Sequence, residues 1–262
     1  MRGYGRLEGR VAIVTGSSRG IGLAIARGYA REGARVVLTS RNSASLAEPC
    51  SALGAMGAQV LPLQGDVSKP EDVDAMVQGT LTAFGRIDVL VNNAGIQLRM
   101  PAEDLDLESW RRVIDTNLTG VFLCSQTVGK VMLAERSGSI ITIASMSSYL
   151  GMPGRVPYST AKTAVVGLTR TLAAEWGPRG VRVNAIAPGY IWTAMTERAI
   201  QDGWLEKEVI VGRTPLRRFG QVEDLVGPAI FLASDEAAFL TGQVIPVDGG
   251  FLAYGYAKTV RE

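Results

Sequence analysis

The stretch RVAIVTGSSRGIGLAIARGYAREG, residues 10–33, decides the fold. It opens as a short apolar run rich in β-branched residues. It then passes through the turn Thr15-Gly16-Ser17-Ser18-Arg19-Gly20-Ile21-Gly22 and continues as a helical pattern over 20–32 that stops at Gly33, a C-cap signal. Glycines in such a turn let backbone N–H groups approach a pyrophosphate, and the helix behind it aims its positive end at the same place. The spacing is GxxxGxG.

The same unit repeats along the chain. Strand-like runs lie at 10–15, 34–40, 58–64, 87–93, 138–145, 181–187 and 242–248, mostly continuous in apolar character, as expected of strands covered on both faces. Helical patterns fill the gaps, notably 20–32, 70–84 with Pro70 at its start, one long helix over 108–135, 157–176 ending at Gly177-Pro178, and 222–233. This alternation predicts a doubly wound α/β fold of Rossmann type. It is a single domain spanning 1–262, with a seven-stranded, mostly parallel sheet and helices on both faces. Segment 188–220 breaks the rhythm, with Trp192 and Trp204 reading as exposed, and about 190–215 is expected to serve as a substrate loop or lid.

Composition narrows the function. Net charge is +2 with acids and bases mixed, so no nucleic acid or anionic membrane is expected as partner. No apolar run reaches a membrane span, and MRGYGRLEGR carries no apolar signal core, so a cytoplasmic setting is expected. Cys50 and Cys124 are read as inert thiols; with no histidine in the chain, no metal site is expected.

The end of the second strand bears on the cofactor. An NAD-preferring fold usually carries an acid there for the ribose 2′-hydroxyl. Here Ser40 takes that place, Arg41 follows, and Arg19 sits in the glycine turn. Guanidinium groups suit a 2′-phosphate, so NADP(H) is expected over NAD(H). Asp66 in GDVS, with Val67 beside it, is placed at the adenine, and Asn93, Ala94 and Gly95 of NNAG beside the cofactor.

PYSTAK, residues 157–162, follows Val156 and puts Tyr158 and Lys162 at i and i+4 on one helix face. A free phenol, with a pKa of about 10, is a poor acid–base catalyst at neutral pH. An adjacent ammonium and the positive nicotinamide of the oxidised cofactor are expected to lower that pKa, so that the tyrosine does the work of the missing histidine.

TGSSRGIG, NNAG, Ser145 thirteen residues before the tyrosine, YSTAK and the downstream Pro188-Gly189, in this order, resemble the short-chain dehydrogenase/reductase family, in its single-domain subclass, from residue 7 to about 254. The resemblance implies a ketone–alcohol oxidoreductase. Tyr158 is then the acid/base, and Lys162 the residue that holds the nicotinamide ribose. Ser145, rather than Ser147 or Ser148, holds the substrate oxygen, and Asn117 holds a relay water. Pro188, Gly189, Ile191 and Thr193 lie along the cofactor, as do Gly16, Ser18, Gly20, Ile21 and Gly22 of the turn. Within the family, the stretch around IQLRMP (96–101) is similar to gluconate 5-dehydrogenases, and the general pattern to 3-oxoacyl-[acyl-carrier-protein] reductases and polyol dehydrogenases. The expected substrate is a keto sugar acid or polyol, with a 3-oxoacyl thioester or a broad range of ketones as the alternative. Arg99 is a candidate for a substrate carboxylate, and Trp192, Met195, Leu150 and Met152 for apolar lining. A non-catalytic dinucleotide-binding protein and a dehydratase or epimerase are the rival classes; the latter are usually longer and carry a separate substrate domain. The resemblance also implies a homotetramer or homodimer, which the apolar stretch LTGQVIPVDGGF (240–251) at an edge strand independently invites.

Overall fold

Val11–Val14 places four apolar residues in a row because each side of the strand meets a different core. Ala12 and Val14 pack with Ile25 and Tyr29 from one direction, while Val11 and Ile13 pack with Val128 and Met132 from the other. Each branched side chain buried in this way contributes about 1.5–3 kcal/mol relative to exposure.

The computed structural model describes residues 5–255. Residues 1–4 and 256–262, the ends of the expected 1–262 domain and part of the stretch read for an export signal, lie outside the described residues. Seven strands form one sheet: β1 (Val11–Val14), β2 (Arg35–Ser40), β3 (Val60–Gln64), β4 (Val89–Asn92), β5 (Gly138–Ile143), β6 (Val181–Pro188) and β7 (Val244–Val247). Their order is β3-β2-β1-β4-β5-β6-β7, and every pairing is parallel, where the sequence reading had expected mostly parallel. Helices α1 (Gly20–Arg31) and α9 (Val226–Ala233) supply one core; α3 (Pro70–Phe84), α5 (Gly120–Ala134) and α6 (Val156–Trp176) supply the other. The chain winds from β1 outward to β3, crosses back to β4 and winds outward again to β7. The strand order therefore reverses between β1 and β4, where open α/β sheets form their binding crevice.

Three elements depart from the sequence reading. The helix expected over 108–135 is α4 (Leu107–Ile114) and α5 separated by a π-helical turn, Asp115–Thr119. A π turn inserts one residue into an otherwise continuous helical stretch, which the sequence reading took as one helix. The helix expected over 222–233 begins as a 3-10 turn, Val222–Leu225, before α9. A helix not singled out, α2 (Ala47–Ala55), links β2 to β3. Segment 188–220 carries two short helices, α7 (Ala194–Gln201) and α8 (Lys207–Arg213). Its base is closed where Trp192 N–H donates to Gly220 O (2.7 Å) and Gly220 N–H donates to Tyr190 O (2.9 Å), with Phe219 edge-on to both aromatic rings. Among the described residues, no helix is long and apolar enough to cross a membrane.

Candidate active site

A cavity of about 960 Å³ opens at the switch point, lined from the carboxyl ends of β1 through β6. Its floor at one end is the glycine turn, which is latched on two sides. The buried Ser17 hydroxyl donates to Val14 O (2.7 Å) and accepts from Thr39 N–H (3.0 Å), fixing the turn to β2. Thr15 Oγ1 accepts from the N–H groups of Asn93 and Ala94 (3.0 Å each), fixing it to β4. Gly16 has φ +62°, and a Cβ there would lie 2.9 Å from Ala94 Cα, so only glycine permits the approach.

Ser18, Arg19, Gly20 and Ile21 line the cavity. Arg19, the N-cap of α1, gives its helix no side-chain hydrogen bond, so the first-turn N–H groups face the cavity uncapped. Gly20 has open space where a Cβ would stand. An uncapped helix start beneath a bare backbone is a fitting seat for a pyrophosphate. Gly22 does not line the cavity: a Cβ there would meet Asn93 Nδ2 at 2.4 Å, so its service is to let the turn and the β4 loop close. Asn93 lines the cavity while its amide donates to Thr15 O (2.8 Å) and Gly16 O (3.0 Å), which makes it a brace for the turn.

The β2 end presents Thr39, Ser40 and Arg41, and no carboxylate from β2. Ser40 Oγ accepts from Asn42 N–H (3.2 Å) and from the Ser45 hydroxyl (2.9 Å). Arg41 and Arg19 are exposed at the rim. Asp66 and Val67 follow β3. Burial raises the Asp66 carboxyl, but two hydrogen bonds from Ser68 (2.7 and 3.0 Å) and the charges of Arg41 and Lys69 outweigh it and hold it below its usual range.

The opposite end gathers Ser145, Tyr158 and Lys162. Ser145 caps the turn after β5, accepting from Ser147 N–H (3.1 Å). Ser147 is buried behind it, and Ser148 donates to Lys162 O, so of the three only Ser145 lines the cavity. Tyr158 and Lys162 stand on the first turns of α6, with Lys162 Nζ 5.8 Å from the centre of the phenol ring. Lys162 is buried and donates to Ile143 O (2.6 Å); burial lowers its pKa from 10.5 to about 8.

The expectation that the ammonium depresses the phenol does not hold in the free protein. Burial pushes Tyr158 above its ordinary value, opposed by the Ser145 hydroxyl and the Arg155 charge. The lysine is engaged with a carbonyl instead, and desolvation of the phenolate outweighs the nearby charges.

Asn117 lies behind this wall, fully buried in the π turn. Its amide oxygen accepts from Ile96 N–H and its nitrogen donates to Ile96 O, both at 2.8 Å, so it holds the loop after β4 without lining the cavity. Gly95 of that loop, Pro188, Gly189, Ile191 and Thr193 all line the cavity, and Thr193 also caps α7 through Thr196 N–H (3.3 Å). Trp192 and Met195 line it as well; Leu150 and Met152 do not, and Met152 packs its sulfur against Ser147 and Arg155.

Sequence reasoning placed 97–100 at the substrate pocket, and Gln97 and Arg99 line the cavity; it passed over Thr39 and Arg155. Arg155 had a signal available: it stands one helical turn before Tyr158, at the N-cap of α6. Cys124 is buried and its thiol is pushed up to about 12 by that burial, while Cys50 is half-buried; both are free.

Fold and cleft define a class: a doubly wound α/β protein with a dinucleotide-type crevice at its switch point. A family model described as Enoyl-(Acyl carrier protein) reductase matches residues 16–252. A 3-oxoacyl-[acyl-carrier-protein] reductase of Synechocystis sp. is 46% identical over 250 residues, covering 95% of this chain and 99% of that protein. A gluconate 5-dehydrogenase of Gluconobacter oxydans is 44% identical over 251 residues, covering 93% and 95%. The structure of a gluconate 5-dehydrogenase from Burkholderia cenocepacia in complex with NADP and tartrate superimposes with a TM-score of 0.91 at 39% identity, covering 95% of this chain and 97% of that one. The chain belongs to the short-chain dehydrogenase/reductase family, and is an oxidoreductase.

Proposed function

We propose that the protein interconverts a ketone and a secondary alcohol with NADP(H), on a small polar substrate of the keto sugar acid or polyol kind. One observation carries the reading: Ser145, Tyr158 and Lys162 converge on one wall of the cavity whose far end is the glycine turn. NADP(H), when bound, supplies or takes up the hydride. The uncapped start of α1 seats the pyrophosphate, and Arg19 and Arg41 hold the 2′-phosphate. Ser145 and Tyr158 hold the substrate oxygen, and the Tyr158 hydroxyl gives it a proton in reduction and removes one in oxidation. Lys162 would hold the ribose of a bound cofactor, and its charge together with that of an oxidised cofactor would bring the phenol down from its raised value. Asn117 keeps one amide hydrogen and one oxygen lone pair for a relay water. Helix α7 and Leu205 border the substrate end, the part of the segment that would act as a lid. The Burkholderia relative, which binds NADP, supports the cofactor.

A second reading, reduction of 3-oxoacyl thioesters, is favoured by the Synechocystis relative and by the apolar Trp192, Met195 and Leu205 in the lining.

Initial rates with NADPH and NADH, over keto sugar acids, ketoses and 3-oxoacyl thioesters, test the proposal. NADPH should be preferred at least about tenfold in kcat/KM, a gap of about 1.4 kcal/mol. A coenzyme preference for NADH removes the assignment of Arg19 and Arg41, and no coenzyme oxidation with any ketone rejects the activity.

We also propose that the chain works as a homotetramer or homodimer. Phe239 is fully exposed, Leu107 and Phe122 are partly so, and β7 is one of the two edge strands of the sheet. Two free thiols suit a reducing, cytoplasmic setting.

A further inference from the structure

The residues that line the substrate end of the cavity carry positive charge only; Asp202, outside the lining, is an acid whose charge reaches Arg99. Arg99, Arg155 and Arg198 line this end beside Lys162, and the cavity's one acidic lining residue, Asp66, belongs to the opposite end. Arg198 lies 3.6 Å from Asp202, whereas Arg99 and Arg155 make no ion pair among the described residues. Both are partly buried. Burial lowers the pKa of each, and for Arg99 the neighbouring Arg155 charge lowers it further, opposed by the Asp202 charge.

Two partly buried guanidinium groups whose charges act on each other are relieved when an anion joins them. They are also held in place. With its amide oxygen facing Arg155, Gln97 accepts from Nε (3.0 Å) and Nη1 (3.2 Å). This leaves the Nη2 edge of the fork for a ligand. Arg99 stacks under Trp204, its guanidinium carbon 6.0 Å from the ring centre, and Trp204 sits against Gly154, the residue before Arg155. Arg155 is one helical turn from Tyr158 and close enough that its charge acts on the phenol.

From this arrangement we propose that Arg155 and Arg99, with Gln97 as the positioning residue, form an anion subsite that binds a carboxylate carried by the substrate itself, within a few carbons of the reacting oxygen. The inference rests on the oxidoreductase reading and deepens it: the substrate is an oxo acid or hydroxy acid rather than a polyol or a neutral ketone. A phosphate on a carrier arm shares this chemistry, but the closeness of Arg155 to Tyr158 favours a group on the reacting molecule.

The test uses matched pairs differing in the anion: D-gluconate against D-glucitol, and acetoacetate against acetoacetamide. For each pair, kcat/KM is measured in wild type, Arg155→Met, Arg155→Lys and Arg99→Met. Binding is followed separately by tryptophan fluorescence, because Trp204 sits on Arg99. Wild type should prefer the acid of a pair; Arg155→Met and Arg99→Met should each reduce that preference about ten- to hundredfold, as expected for loss of a charged hydrogen bond, with partial recovery in Arg155→Lys. A preference for carrier-bound over free 3-oxoacyl thioesters, with none within the matched pairs, overturns the proposal in favour of the phosphate source. Equal use of acid and neutral partner, or an equal fall for both in the variants, also overturns it. Absent turnover with every compound rejects the oxidoreductase reading. The binding arm still decides the subsite: preferential fluorescence change with the acids supports it, and none overturns it.

Discussion

Tyr158 and Lys162 present a conflict at the level of single groups. In the proposed reaction the phenol must change protonation, yet burial holds it above its ordinary value, so the free protein keeps it protonated throughout the neutral range. On that proposal, cofactor charge is part of the tyrosine's activation. The difference in phenolate absorbance between wild type and Tyr158→Phe should move to lower pH when NADP⁺ is added, and an unmoved titration removes the cofactor from that role. Tyr158→Phe itself should lower kcat about 10²- to 10⁴-fold while coenzyme affinity, read by fluorescence, stays near wild type. Lys162 makes a complementary prediction about stability. Its folded pKa, about 8, lies below the ordinary 10.5. Below pH 8 both states hold the proton and the folded state bears the full cost of a buried charge. Between 8 and 10.5 the unfolded chain binds more protons, so stability rises with pH, by about 3 kcal/mol over the whole interval. Lys162→Met lacks that charge. In urea unfolding without cofactor, its advantage over wild type should be largest near pH 7 and shrink toward pH 10; a gap independent of pH would contradict the depressed value.

At the scale of elements, the strands and the glycine turn could be read from the chain because their requirements are local. A run such as VAIV has apolar neighbours on both faces, and TGSSRGIG has to be bare of side chains where the backbone turns. The Tyr158–Lys162 spacing could be read for the same reason, since i and i+4 fix a shared face. The π turn could not, because its cause is distant in sequence: the two hydrogen bonds between Asn117 and Ile96 span 21 residues. Arg155 escaped notice because its meaning comes from Gln97 and Arg99, placed by the loop after β4. Asn117→Ala would strip partners from two backbone groups of Ile96, each costing about 1–3 kcal/mol when left unsatisfied in the interior. The expected result is lower stability together with a loss of kcat, since Ile96 itself lines the cavity. Wild-type stability in this variant would show that the π turn holds without its amide.

For the whole molecule, the sheet is closed by helices on both faces but ends at β7 in an open edge, and its residues are only half-buried. The turn just before this edge exposes Phe239 completely. Exposed aromatic surface beside an edge strand is the kind of patch that soluble proteins cover by association. In the proposed site, Ser145, Tyr158, Lys162 and most of the glycine turn line one cavity of a single chain. Association would therefore serve stability more than chemistry. Sedimentation at micromolar concentration should show a species of two or four chains of 27.9 kDa. Phe239→Asp places a charge in the patch and should shift the distribution toward the single chain, lowering the thermal midpoint by mass action while leaving the residues of the cavity in place. A wild-type protein that sediments as one chain at every concentration would mean that the exposed edge is tolerated, and that short length and twist alone keep β7 from pairing.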